Sequence, residues 1–263
     1  MKEAKKYLIH QDGVEYDIYN LPKGFVVKGD INFEDQDIDE LPDLSSVTVK
    51  GNFTCRWTKI TSLKGAPKEV EGNFDCSYNK HLTSLEGAPE KVGGNFDCEA
   101  TKITSLEGAP KEVGGDFVFN RRSITSLKGA PEKVGGNFDC SCSNLTSLEG
   151  APKEVGGTFY CNDTNITSLK GAPKKIGGDF YCSDTNVSLR EKTLDTLRRG
   201  LRRYRWQSAL LALAVANTII SGTTNENTAP MNKDETSISK EVLPTKNDTP
   251  PTFIRIDPKK GGR

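Results

Sequence analysis

Seven cysteines and two histidines are the side chains best able to ligate a metal or act as nucleophiles, so their spacing comes first. Cys55, Cys76, Cys98, Cys140, Cys161 and Cys182 follow one another at intervals of 21, 22 or 42 residues. Metal ligands come in close pairs, and the one close pair, Cys140 and Cys142, has no further ligand beside it. His10 and His81 have no nucleophile at motif spacing. Gly pairs such as Gly93-Gly94 resemble phosphate loops in composition, but no helix and no Lys follow at the required distance. The expectation is therefore a chain with no catalytic residue, no metal and no cofactor, whose regularly spaced cysteines fill a core as small apolar side chains. An odd number of cysteines also argues against a fully paired disulfide framework and for a reducing compartment.

Recognition by a surface is the chemistry that remains. The candidates flank the cysteines: Arg56 and Trp57, then Asp75 and Tyr78, then Asp97 and Glu99. After these come Arg121, Asp139, Tyr160 with Asp163, and Tyr181 with Asp184. Aromatic anchors among polar groups are the composition of a protein-binding site. The alternative is a solvated sheet face, where Asp supplies solubility and Tyr suits a strand.

Those residues need an element that repeats. Phe53, Phe74, Phe96, Phe117, Phe138, Phe159 and Phe180 recur every 21 residues, with one interval of 22 near His81. Cys, or Phe119 once, follows two residues after each. Then come Ile60, Leu82, Ile103, Ile124, Leu145, Ile166 or Val187, followed by TSL and GAP in all but the last unit. Each full unit closes on Val70, Val92, Val113, Val134, Val155 or Ile176, usually before a Gly pair. A degenerate unit from Ile31 and Phe33 to Val47 precedes them. No segment of this length can close a core alone, so the fold class is a repeat solenoid, mainly β, whose coils bury their apolar side chains against the coils above and below. In FxC the Phe and Cys point inward and the residue between them outward, as a short strand requires. Parallel stacking follows. The Pro of GAP removes a ladder donor and the Gly pair permits positive φ, so the rest of each coil is expected to be tight and non-helical.

The frame from Pro89 through Val92, Phe96, Cys98, Thr101 and Ile103 to Leu106 resembles the short class of leucine-rich repeat used by bacterial effector proteins. The likeness covers roughly residues 29 to 189. It implies a parallel-strand array with a concave binding face lined by the candidates named above. Two departures stand out: one extra residue between the first two apolar positions, and Thr58, Thr101, Arg122, Ser143, Thr164 and Thr185 where the family has a buried Asn, leaving Asn79 as the one match. These leave open a related β-solenoid with a differently built side-chain ladder.

Both ends of such an array need covers. Residues 1–28 read as a cap: Tyr7, Leu8 and Ile9, the Asp12-Gly13 turn signal, then Val14, Tyr16 and Ile18 form a hairpin. The array occupies 29–187. Ser188 with Glu191 is a capping-box start for a helix over 188–222, basic at first through Arg198, Arg199, Arg202, Arg203 and Arg205 and then apolar. The apolar run from Ser208 to Ile220 is 13 residues, against about 20 for a span. The choices are a capping helix, an interfacial helix touching a membrane surface, or a true span or re-entrant segment. Residues 223–263, rich in Asn, Thr, Lys, Glu and Pro, are expected to be disordered.

Composition bounds the function. Hydrophobic residues are 34%, mean hydropathy is −0.56 and Gly numbers 25, which fits a shallow core. The 36 basic and 36 acidic residues cancel overall. Regionally, residues 1–187 carry 22 Lys or Arg against 28 Asp or Glu, while residues 188–222 carry seven against two. An acidic face favours a protein partner with a basic surface and repels nucleic acid. The expectation is a monomeric, non-enzymatic protein-interaction module, with peripheral membrane contact through the Arg-rich segment as the alternative. A substrate-recognition part of an enzyme, such as an effector ubiquitin ligase, is a third reading. The N-terminus lacks the apolar stretch of a signal peptide, so the expected location is the cytoplasm, or outside the cell by a signal-peptide-independent route.

Overall fold

The structure, a computed structural model, describes residues 8–119 and 121–192. It opens on an antiparallel hairpin of β1 (Leu8–Gln11) and β2 (Val14–Asp17), with Gln11 paired to Val14. Asp12 and Gly13 form its two-residue turn, both at positive φ (55° and 76°), as the DG signal requires. A 3-10 turn, Ile18–Asn20, follows, capped by Asp17, whose carboxylate accepts the Tyr19 N–H.

Each coil then contributes one strand to each of two parallel sheets of eight strands. The Val sheet contains β3 (Val26–Val27), β5 (Thr48–Val49), β7 (Glu69–Val70), β9 (Lys91–Val92), β11 (Glu112–Val113), β13 (Lys133–Val134), β15 (Glu154–Val155) and β17 (Lys175–Ile176). Between these fall the strands of the Phe sheet. They are β4 (Ile31–Asn32), β6 (Phe53–Thr54), β8 (Phe74–Asp75), β10 (Phe96–Cys98), β12 (Phe117–Phe119), β14 (Phe138–Asp139), β16 (Phe159–Tyr160) and β18 (Phe180–Tyr181). The Val-sheet ladder begins at Val26, inside the segment 1–28 that the sequence assigns to the cap.

The chain is a mainly β parallel solenoid, and its core is built from equivalent residues stacked on one another. Phe53, Phe74, Phe96, Phe117, Phe138, Phe159 and Phe180 are 0 or 1% exposed. Their rings stack in one column, with centroids 5.0–5.9 Å apart and planes within 11°. Each buried ring stabilises by about 1.5–3 kcal/mol. Cys55, Cys76, Cys98, Cys140, Cys161 and Cys182 form no disulfide and are buried beside the rings, while Cys142 is exposed. Phe119 takes the Cys position in one coil and packs between Phe117 and Phe138. The Cys76 and Cys98 thiols donate to the next coil's carbonyls at Asp97 and Val118, each at 3.3 Å. Burial raises the Cys55, Cys76 and Cys98 thiols well above their ordinary range, so they stay protonated.

The Gly pairs have a different cause from the one read in the sequence. They do not adopt positive φ; a Cβ on Gly114 would lie 2.0 Å from the Gly93 carbonyl oxygen, and one on Gly94 would lie 2.2 Å from Asn73 Oδ1. Glycine is needed there because neighbouring coils touch backbone to backbone. The left-handed glycine is that of GAP, for example Gly108 at φ 89°.

Beside the Gly pair runs a side-chain ladder that replaces the expected Asn ladder. Asp30 Oδ1 accepts the Asn52 N–H, Asn52 Oδ1 the Asn73 N–H and Asn73 Oδ1 the Asn95 N–H, at 2.6, 2.8 and 2.8 Å. Asn95, Asp116 and Asn137 carry it on to Thr158. Asn79 is fully engaged: its Oδ1 accepts from the Thr58 N–H, and its Nδ2 donates to the Cys55 and Cys76 carbonyls. Hydroxyls at the equivalent positions donate within their own coil, as Thr101 does to Cys98 O at 2.8 Å. Arg122 does not join this series. It is exposed within a 3-10 turn, Arg121–Ser123, and Ser123 Oγ donates to Ile103 O instead.

Both edges are closed by side chains. The Gln11 amide donates to Val26 O at 3.0 Å and accepts the Lys28 N–H at 2.8 Å, occupying the place of a neighbouring strand along β3. At the far end residues 189–192 are helical, and Ser188 Oγ accepts the Glu191 N–H at 3.2 Å. Glu191 does not turn back to complete the box. Its Oε1 accepts from Leu169 N–H and Ser168 Oγ, each at 2.8 Å, and so closes the last coil. Residues 193–222, with Arg198 to Arg205, and the tail 223–263 lie outside the described residues.

Candidate functional site

The residue after each FxCx enters the left-handed region, which reverses the chain at the end of the Phe strand. Asp35, Trp57, Tyr78, Ala100, Cys142, Asp163 and Asp184 occupy it at φ 51–59°. Asp tolerates this backbone; bulky side chains rarely adopt it. Trp57 and Tyr78 nevertheless stand there in adjacent coils, 43 and 40% exposed, their rings stacked at 4.7 Å and 8°. The Arg56 guanidinium carbon sits 5.6 Å from the Tyr78 centroid. Its Nε lies 3.4 Å from Glu34 Oε1 and an Nη lies 3.9 Å from Asp75 Oδ2.

The middle residues of the Phe strands form a second column, in which Thr54, Asp75, Asp97 and Val118 are partners strand by strand. Further along, Asp139, Tyr160 and Tyr181 are partners in the same way, and the two Tyr rings stack at 5.0 Å and 2°. Burial, then the neighbouring Tyr181, raises the Tyr160 hydroxyl. The structure thus gathers Arg56, Trp57, Asp75, Tyr78, Asp97 and Glu99 into one patch. Asp139, Tyr160 and Tyr181 belong to a second, roughly 19 Å along the array at four strand spacings. Asp163 and Asp184 are exposed in the left-handed column beside that second patch. Arg121 opens the 3-10 turn between the two patches.

The acidic column has a structural job invisible in composition. Asp75 Oδ1 accepts from the Ser77 N–H and Oγ at 2.9 and 2.6 Å; Asp139 treats Ser141 alike at 2.9 and 2.5 Å. Asp97 Oδ1 accepts the Glu99 N–H at 2.8 Å. These side chains hold the turn that precedes the left-handed residue. Ser77 and Ser141, held by those bonds, are buried. The spacing of Asp to Ser two residues later carried that signal. Burial first, then repulsion from Asp75 and Glu99, raises the Asp97 carboxyl above its usual range.

On the other sheet, the Lys and Glu residues that follow the Pro of a coil are exposed or half-buried, and ion pairs join coils at Lys153 with Glu132, 2.7 Å, and Lys175 with Glu154, 2.6 Å. His10 is exposed, 3.8 Å from Glu15. Among the described residues no group of three His, Cys, Asp or Glu is placed to hold a metal, and no helix is long and apolar enough to cross a membrane. No family model, curated protein or solved structure matches the chain.

Proposed function

We propose that this protein is a non-enzymatic binding module that holds a protein partner on the outer face of its Phe sheet. The observation that carries the reading is the Trp57–Tyr78 pair. Two adjacent coils place large rings where the backbone favours Asp, Asn or Gly, and leave those rings exposed. Strained, exposed aromatics add little to a fold and much to an interface. Tyr160 and Tyr181 form a second anchor pair, and Asp75, Asp97, Glu99 and Asp139 give the face the sign that attracts a basic surface and repels phosphate. The order of apolar positions within a coil supports kinship with the short leucine-rich repeats of bacterial effectors, whose arrays serve as recognition surfaces.

The test is affinity capture with the full chain, followed by titration of the captured protein. Trp57→Ala or Tyr160→Ala is expected to weaken binding by about 1–3 kcal/mol. Binding that ignores both changes but is abolished by replacing Lys111 and Glu112 would place the site on the Val sheet and end the proposal.

A further inference from the structure

The aromatic column stops abruptly. Trp57 covers one face of the Tyr78 ring. The next coil continues in register, since the Tyr78 N–H donates to Glu99 O at 2.9 Å, and its left-handed residue is Ala100 at φ 54°. Where two coils in succession bring a ring, this one brings a methyl group, and Ala100 is exposed. Among the described residues, no ring therefore covers the position beyond Tyr78.

Two carboxylates flank that position. Glu99 is exposed and Asp97 half-buried, and no ion pair reaches either one among the described residues. Asp97 uses Oδ1 on the Glu99 N–H, which leaves Oδ2 for a ligand. Its raised carboxyl reflects burial together with negative neighbours, a strain that a cation relieves. The chain already shows which cation suits the surroundings, since Arg56 sets its guanidinium against the same ring and between Glu34 and Asp75.

We propose that this position takes an arginine side chain of the partner protein, its guanidinium flat against Tyr78 over Ala100 and its N–H groups on Asp97 and Glu99. A guanidinium is planar, weakly hydrated and able to stack and donate at once, whereas an ammonium is a compact, strongly hydrated point charge. The site thus selects arginine over lysine at equal charge. This inference rests on the binding-face reading and adds the chemistry of one contact.

Hexa-arginine and hexa-lysine peptides titrated into the full chain by calorimetry test it, because their charges are equal. Hexa-arginine is expected to bind about fivefold more tightly. Ala100→Tyr, which extends the stack into that position, removes that preference, while Ala100→Gly keeps it. Asp97→Asn combined with Glu99→Gln weakens hexa-arginine and leaves the backbone acceptors in place, so the result does not hang on one variant. Equal affinities, no binding by either peptide, or a preference that survives Ala100→Tyr overturns the arginine site. The binding-face reading fails separately, when the captured partner ignores Trp57→Ala.

Discussion

Replacing Trp57 by Asn or by Ala separates what its ring contributes from what its backbone costs. Both changes delete the stack on Tyr78, worth about 0.5–1.5 kcal/mol, and the burial of rather more than half the side chain, worth about 1–1.5 kcal/mol. They differ in the left-handed backbone at φ 57°, which Asn tolerates and Ala does not. Relief of that strain returns about 1 kcal/mol to Trp57→Asn only. The expected net loss is about 0.5–2 kcal/mol for Asn and about 1 kcal/mol more for Ala. Phe96→Ala, at a position 0% exposed, should cost about 3–5 kcal/mol. Urea unfolding followed by far-ultraviolet circular dichroism gives the ranking without relying on tryptophan emission. An Ala variant as stable as the Asn variant would refute the strain argument. A loss of 3 kcal/mol or more in Trp57→Asn would show that the ring is there for the fold, and the case for an exposed anchor would go with it.

Gly114→Ala forces a Cβ against the Gly93 carbonyl and should cost about 3–5 kcal/mol through overpacking and loosened ladder bonds, whereas Gly13→Ala, with open space around it, should cost only about 1–2 kcal/mol in the same unfolding assay. Titration with a thiol reagent should find one reactive cysteine in the native protein, Cys142, and all seven in denaturant; a second fast-reacting thiol would contradict the buried column. Because the folded Asp97 carboxyl is raised, its contribution is lost as pH rises through that folded value, so Asp97→Asn should stabilise at pH 7 and give no advantage below the unfolded carboxylate value of about 3.9. An advantage that grows on acidification would reverse that sign and remove the desolvation account. Glu191→Ala should lower stability by about 1.5–3 kcal/mol by orphaning Leu169 N–H, and Glu191→Gln should recover most of it; equal loss in both variants would deny the capping role.

The solenoid was legible because Phe, Cys and Val recur at one interval, and a coil that cannot close a core alone has few ways to use that interval. The hairpin was legible for a similar reason, since Asp12-Gly13 between alternating residues admits few turns. What the sequence concealed lies between coils. Gly93 and Gly114 read as turn residues because a glycine in isolation signals conformational freedom; that a neighbouring backbone passes within reach of a Cβ shows only in three dimensions. Asn52, Asn73 and Asn95 sit directly before Phe, six residues ahead of the place where a leucine-rich repeat keeps its Asn, and their ladder needs the stacked geometry to be seen. At the candidate site the residue types were readable and their conformation was not. Nothing in the letters distinguishes Trp57 in the left-handed region from Trp57 on a strand, yet that difference separates an anchor from a core ring.

The alternation of Lys and Glu down the Val sheet answers a problem that identical coils create. Repeats this similar could stack out of order, since every Phe fits on every other Phe and every Gly pair on every other pair. Charge breaks the equivalence. After the Pro of successive coils come Lys68, Glu90, Lys111, Glu132 and Lys153, and beside them Glu69, Lys91, Glu112, Lys133 and Glu154. The register joins Glu69 to Lys91, Lys91 to Glu112 and Glu112 to Lys133, so each step meets the opposite sign. A slip by one coil would instead set Lys68 beside Lys111 and Glu69 beside Glu112, turning attraction into repulsion in both columns at once. Each exposed pair contributes only about 0–1 kcal/mol, too little to build the array. Its consistent sign along five coils is enough to choose among stackings that the core alone leaves nearly equal. Order matters to this protein because its proposed binding residues are the positions where the coils differ. Trp57 meets Tyr78, and Tyr78 meets the place over Ala100, only when the second, third and fourth coils follow in sequence.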